Sequence, residues 1–134
     1  MNHHQTQIRV RYSETDQMRV VYHGNYAQYF EVGRVEWLRN KGISYKWMEE
    51  NGIMLPVVSL TLNYKKPARY DELLTLKTIL KNKTSVKIEF DYELYNEEGE
   101  LLTTGSSILV FVDMKTGRPV VPPQYILDIL DKVE

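Results

Sequence analysis

"YAQYFEVGRVEWLRN", Tyr26–Asn40, decides the fold. It has no proline, and Tyr26, Tyr29, Phe30, Gly33 and Trp37 recur at spacings of three and four, which puts them on one face of a helix. Val32, Val35 and Leu38 widen the apolar surface. A helix that is apolar over so much of its circumference is enclosed by other elements rather than resting on them. Asn25 is placed to cap its first turn. Gly42 stands just past its end, where a left-handed residue commonly closes a helix.

Around this helix the pattern changes to period two. Upstream, Ile8, Val10 and Tyr12 alternate with Arg9 and Arg11, which predicts a half-buried strand over Thr6–Tyr12. Downstream, Ser44 caps a short helix that Gly52 closes. Strands are then expected at Val57–Tyr64, Leu73–Leu80, Val86–Tyr95 and Leu101–Val112. In "VKIEFDYELY" the residues Val86, Ile88, Phe90, Tyr92 and Leu94 share one face. The last strand is nearly all apolar or small, so both of its faces should be covered. Pro122–Lys132 reads as a terminal helix. Tight turns between strands make them antiparallel. The simplest architecture is α+β, one antiparallel sheet curled around Tyr26–Asn40, with residues 1–134 as a single domain.

Composition narrows the functional classes. The chain has 17 basic and 18 acidic residues, so charge offers no reason to expect nucleic acid as partner. It has no cysteine, which excludes disulfides, thiolate metal sites and a cysteine nucleophile. No apolar run approaches the ~20 residues of a membrane span, and the first residues lack the apolar core of a signal peptide. A cytoplasmic protein is expected. The three histidines, His3, His4 and His23, have no metal-ligand spacing, and no metal is expected. There is no GxSxG elbow and no phosphate-binding glycine loop.

The remaining polar candidate is Asp16 with the cluster Tyr22–Tyr26. A plain reading is a capped turn, because Asp and Asn side chains bond nearby backbone. Against it, Val20, Val21 and Tyr22 should tuck the loop against the core, where an acid becomes a stronger base. The loop also runs into a helix N-terminus, whose free N–H groups favour a developing oxyanion. An acid facing such an end, with a carbonyl between them, suits acyl transfer.

These residues resemble a known pattern. "YSETDQMRVVYHGNY", Tyr12–Tyr26, followed by "EVGR", Glu31–Arg34, is similar to the hotdog-fold acyl-CoA thioesterases of the 4-hydroxybenzoyl-CoA type, and most of all to the subgroup associated with the Tol-Pal system. The resemblance spans about Thr6 to Val121 and implies a hotdog: an antiparallel sheet wrapped around a long central helix. It implies hydrolysis of a small or medium acyl-CoA, without a cofactor, by a homodimer or homotetramer. Asp16 would be nucleophile or general base, and the backbone N–H of His23 would polarise the thioester carbonyl. Tyr12, His23 and Asn25 match positions that line the pocket or set the loop, Tyr22 is a further candidate for binding substrate, and Lys65, Lys66 and Arg69 would meet CoA phosphates. Two positions depart from the pattern: Glu14 replaces Asp, and Arg19 replaces a glycine, so the loop is either reshaped or sends Arg19 toward the ligand. Two rivals remain beside hydrolysis, a hydroxyacyl-thioester dehydratase and a hotdog that binds acyl-CoA without turnover.

Overall fold

The computed structural model describes residues 2–133. Its elements in chain order are β1 (His3–Arg9), α1 (Tyr26–Asn40), α2 (Tyr45–Glu50), β2 (Ile53–Met54), β3 (Val57–Tyr64), β4 (Leu73–Lys83), β5 (Lys87–Tyr95), β6 (Leu101–Val110), β7 (Val112–Asp113) and α3 (Gln124–Asp131). Five strands form one sheet in the order β1-β4-β5-β6-β3, and every pairing is antiparallel. The sheet curls around α1, as the apolar girth of that helix requires.

The packing follows from the two periodicities. Along β4 and β5, alternate residues Leu74, Leu76, Thr78, Leu80 and Ile88, Phe90, Tyr92, Leu94 are buried. From α1, Tyr29, Phe30, Trp37 and Leu38 come down on them. Phe30 lies flat against Tyr92, with ring centroids 4.3 Å apart, and Trp37 meets Phe90 edge-on at 5.1 Å. Each such buried side chain contributes roughly 1.5–3 kcal/mol relative to exposure. The approach is close at Gly105 of β6, where a Cβ would press on the Phe30 ring and come within 2.6 Å of the Thr61 carbonyl oxygen.

Several expectations shift by a few residues. The first strand ends at Arg9 rather than Tyr12, because the chain turns out of the sheet there, leaving Tyr12 at 76% exposure. The last long strand breaks at Phe111, and Val112–Asp113 pairs with Ile53–Met54 in a small second sheet that alternation alone did not reveal. Ser44 does cap α2, its Oγ accepting from Trp47 N at 3.2 Å. Asn25 does not cap α1, since its side chain is engaged elsewhere.

One feature of the topology places the functional loop. β3 and β4 follow each other in sequence but lie apart in the sheet, so the segment 65–72 must travel between them. It passes beside the 16–26 loop, and Val20 bridges to Arg69. The same crossing leaves β3 on a sheet edge, with Val57, Val58, Leu60 and Tyr64 exposed.

Candidate active site

After β1 the chain makes a 3-10 turn, Tyr12–Glu14, and then a miniature hairpin. Thr15 bridges Val21, and Asp16 N donates to Val20 O at 3.0 Å. Arg19 N donates to Asp16 O at 2.9 Å, and Arg19 itself has φ 66°. A turn followed by one left-handed residue is a common three-residue hairpin loop, usually with glycine at the left-handed place. Arg19 therefore keeps the backbone shape that glycine would give, at a cost of roughly 1–2 kcal/mol. The loop is not reshaped. The Asp16 carboxylate is half-exposed, and its Oδ1 accepts from Met18 N at 2.9 Å. The turn reading of Asp16 and its candidacy as an acid thus coexist, since a carboxylate has further lone pairs free.

The returning arm is held by the crossing segment. Val21, buried to 3%, donates from its N–H to Ala68 O at 2.8 Å. Ala68 N donates to the Tyr26 hydroxyl at 3.3 Å, and the Tyr64 hydroxyl donates to His23 O at 3.0 Å. A 3-10 turn, His23–Asn25, is fused to the head of α1. Asn25 N donates to Tyr22 O at 2.9 Å, and the same peptide unit carries the His23 N–H. At the head of a helical segment that N–H has no intrahelical acceptor.

Glu14 was not among the expected site residues, and it holds this construction together. Its side chain is 10% exposed. Oε1 accepts from Arg11 N at 2.8 Å and from the Tyr29 hydroxyl at 2.9 Å, and Oε2 accepts from Arg11 Nε and Nη2 at 3.1 and 3.0 Å. Its backbone carbonyl accepts from Tyr22 N at 2.9 Å and Asn25 Nδ2 at 2.8 Å. Burial alone would raise the Glu14 carboxyl's pKa. The hydrogen bonds from Arg11 N–H, Tyr29 and the Arg11 guanidinium outweigh it and hold the group below its ordinary value. Burial, then the bond to Glu14, pushes the Tyr29 hydroxyl far up, so it remains a protonated donor.

A cavity of about 270 Å³ opens beside the loop, lined among others by Asp16, Val21, His23, Tyr26, Tyr64 and Lys65. Asp16, His23 and Lys65 are thus brought together as expected. Tyr12, Arg19, Tyr22 and Asn25 lie outside its lining. Tyr12 packs edge-on to exposed Tyr70 at 5.6 Å, Tyr22 stands beside the His23 ring at 4.4 Å, and Asn25 ties the helix start to Glu14. Arg69 lines a neighbouring polar cavity with Lys66, whose Nζ is paired with Glu100. Tyr26, the last residue of the expected cluster, and Tyr64, which was not expected, both carry aromatic area into the cavity; the Tyr26 hydroxyl accepts from the crossing segment and the Tyr64 hydroxyl donates to the loop. Among the described residues no group of three or more His, Cys, Asp or Glu is placed to hold a metal ion.

The chain is 39% identical to YneP of Bacillus subtilis (strain 168) over 114 residues, 85% of this chain and 83% of the relative. It is 30% identical to the acyl-CoA thioester hydrolase YbgC of Escherichia coli O6:H1 over 120 residues, 90% of each. A crystal structure of the DHNA-CoA thioesterase from Staphylococcus aureus superposes with TM-score 0.92 at 41% identity, covering 98% of this chain and 88% of that one. Residues 10–130 match the model of the Thioesterase-like superfamily, and the chain belongs to that family, with the hotdog fold its sequence led us to expect.

Proposed function

We propose that this protein hydrolyses the thioester of an acyl-CoA, with Asp16 and the His23 N–H on either side of the scissile carbonyl. The observation that carries the proposal is the shared cavity: a half-exposed carboxylate and the head of a helical segment line one apolar pocket. The N–H stabilises the oxyanion, where one well-placed donor is worth about 3–4 kcal/mol. Two routes fit Asp16. As general base it takes a proton from water, the water oxygen bonds to the acyl carbon, the C–S bond breaks and CoA leaves as the thiol. As nucleophile it forms an acyl anhydride with loss of the thiolate, and water then cleaves the anhydride. Trapping the anhydride with hydroxylamine during a single turnover separates them, since only the second route passes through an acyl group bonded to Asp16.

The S. aureus and E. coli relatives act on CoA thioesters by name, which supports CoA as the carrier. Lys65 at the cavity and Arg69 beside it are the proposed phosphate contacts. Lys66 is the weaker candidate because Glu100 already neutralises it. The Tol-Pal subgroup and the cytoplasm are the proposed setting. Hydrolysis of a panel of aromatic and aliphatic acyl-CoAs tests the proposal; no release of CoA from any of them would reject it.

The proposed working form is a homodimer or homotetramer joined through β3. This edge strand reads VVSLTLNY and lacks the lysine, proline or charged residues that shield an edge from pairing. A second reading keeps binding and drops turnover. Its support is the Asp16 carboxylate's bond to Met18 N, which commits one lone pair to the turn. Tight CoA binding without hydrolysis across the panel would favour it.

A further inference from the structure

Glu14 lies outside the lining of the cavity, yet six hydrogen bonds on its side chain and carbonyl tie together the chain before Asp16, the chain beside His23 and the head of α1. On the carboxylate are the chain leaving β1, through Arg11, and the buried face of α1, through Tyr29. On the carbonyl are Tyr22, next to His23, and Asn25, at the head of α1. Asp16 follows two residues later, on the arm that Glu14 anchors. We propose that Glu14 is a positioning residue: it clamps both arms of the loop to α1 and so fixes where the Asp16 carboxylate stands relative to the His23 N–H. The inference rests on the thioesterase reading for its catalytic consequence, though the clamp itself does not depend on it.

The physical reason is economy of freedom. Arg19 sits at a strained left-handed position, and Tyr12, Ser13, Gln17 and Met18 are exposed, so little packing restrains the outer loop. Restraint comes from the crossing segment and from the base of the loop, where Glu14 offers a carboxylate bound by Arg11 and Tyr29 and a carbonyl bound by Tyr22 and Asn25. A neutral amide at this place would turn an NH₂ group toward the donors of Arg11 or Tyr29, and at least one contact would be lost. Misplacement by about 1 Å is enough to cost on the order of a hundredfold in rate.

The test uses the whole chain. Glu14→Gln is expected to lower kcat by roughly tenfold or more with KM changed less than about twofold, the signature of a lost transition-state arrangement rather than lost substrate contact. Glu14→Asp, which keeps the charge, should recover most of that loss. Tyr29→Phe, a milder change should Glu14→Gln fail to fold, should lower kcat in the same direction by a smaller factor. Amide hydrogen exchange at Asp16, Tyr22 and Asn25 should accelerate in Glu14→Gln, and this readout needs no activity. If the wild-type protein hydrolyses no acyl-CoA, the thioesterase reading fails while the clamp is still decided by exchange. Wild-type kcat in Glu14→Gln, a rise in KM alone, or unchanged exchange at the three amides would overturn the proposal.

Discussion

Replacing Arg19 with glycine should make the protein more stable, an unusual outcome for a substitution in a functional loop. Arg19 has φ 66°, and its backbone N–H closes the turn onto Asp16 O at 2.9 Å. An L side chain in that conformation costs roughly 1–2 kcal/mol through its Cβ. Glycine removes the strain and keeps the N–H, at an entropic cost of roughly 0.5–1 kcal/mol from its freer unfolded chain. The Arg19 side chain is exposed and lines neither cavity at the loop, so its loss removes little. The difference is a gain of about 1 kcal/mol, or roughly 3–5 °C in Tm for a domain of this size. Arg19→Ala is the control: it retains a Cβ and hence the strain, and should gain nothing. Urea denaturation of the three proteins measures the effect. A destabilised Arg19→Gly, or Arg19→Ala as stable as Arg19→Gly, would refute the strain account.

Other outcomes follow from neighbouring features. Gly105→Ala should destabilise by about 1–3 kcal/mol through overpacking against Phe30 and the Thr61 carbonyl, seen as a lower urea midpoint. Glu14 titrates lower in the folded chain than in the unfolded one, so the unfolded state binds its proton first and stability rises with pH across the acid range. That contribution is complete above the ordinary carboxylate pKa and is lost as pH falls through the folded value. In Glu14→Gln, stability measured from pH 7 down to about 3 should therefore fall less steeply, from a starting point about 1–3 kcal/mol lower. Val58→Lys combined with Leu60→Lys puts charge on the exposed edge strand β3 and should dissociate the proposed oligomer in sedimentation experiments.

Most of the fold was legible because two periodicities dominate this chain. The bounds of α1 and β3 agree with the sequence, since no competing signal interrupts them. The β2–β7 pair was hidden because two-residue strands have no alternation to read. Tyr12 continued the apolar alternation of β1, yet the chain turns at Arg11 to bring its N–H and guanidinium onto Glu14. Asn25 resembled a cap by type and position, but the Glu14 carbonyl took its amide.

The site divides in a similar way. The motif pointed to Asp16 and His23, and the basic stretch after β3 to Lys65, and the structure puts all three at one cavity. Tyr64 was not indicated, because its contact crosses from β3 to a loop distant in sequence. Glu14 looked like a conservative replacement for Asp. Its weight comes from six hydrogen bonds with four residues gathered in three dimensions, a fact that no spacing announces.

Asp16→Asn tests the central claim most directly. Asparagine keeps an oxygen for the Met18 N–H and suits the turn equally well, so folding and Tm should be unchanged. Without a carboxylate to act as base or nucleophile, kcat/KM on the best acyl-CoA should fall by roughly a hundredfold or more, within the range that one general base or nucleophile supplies. Turnover equal to that of the wild-type protein, in a variant of unchanged stability, would contradict the account.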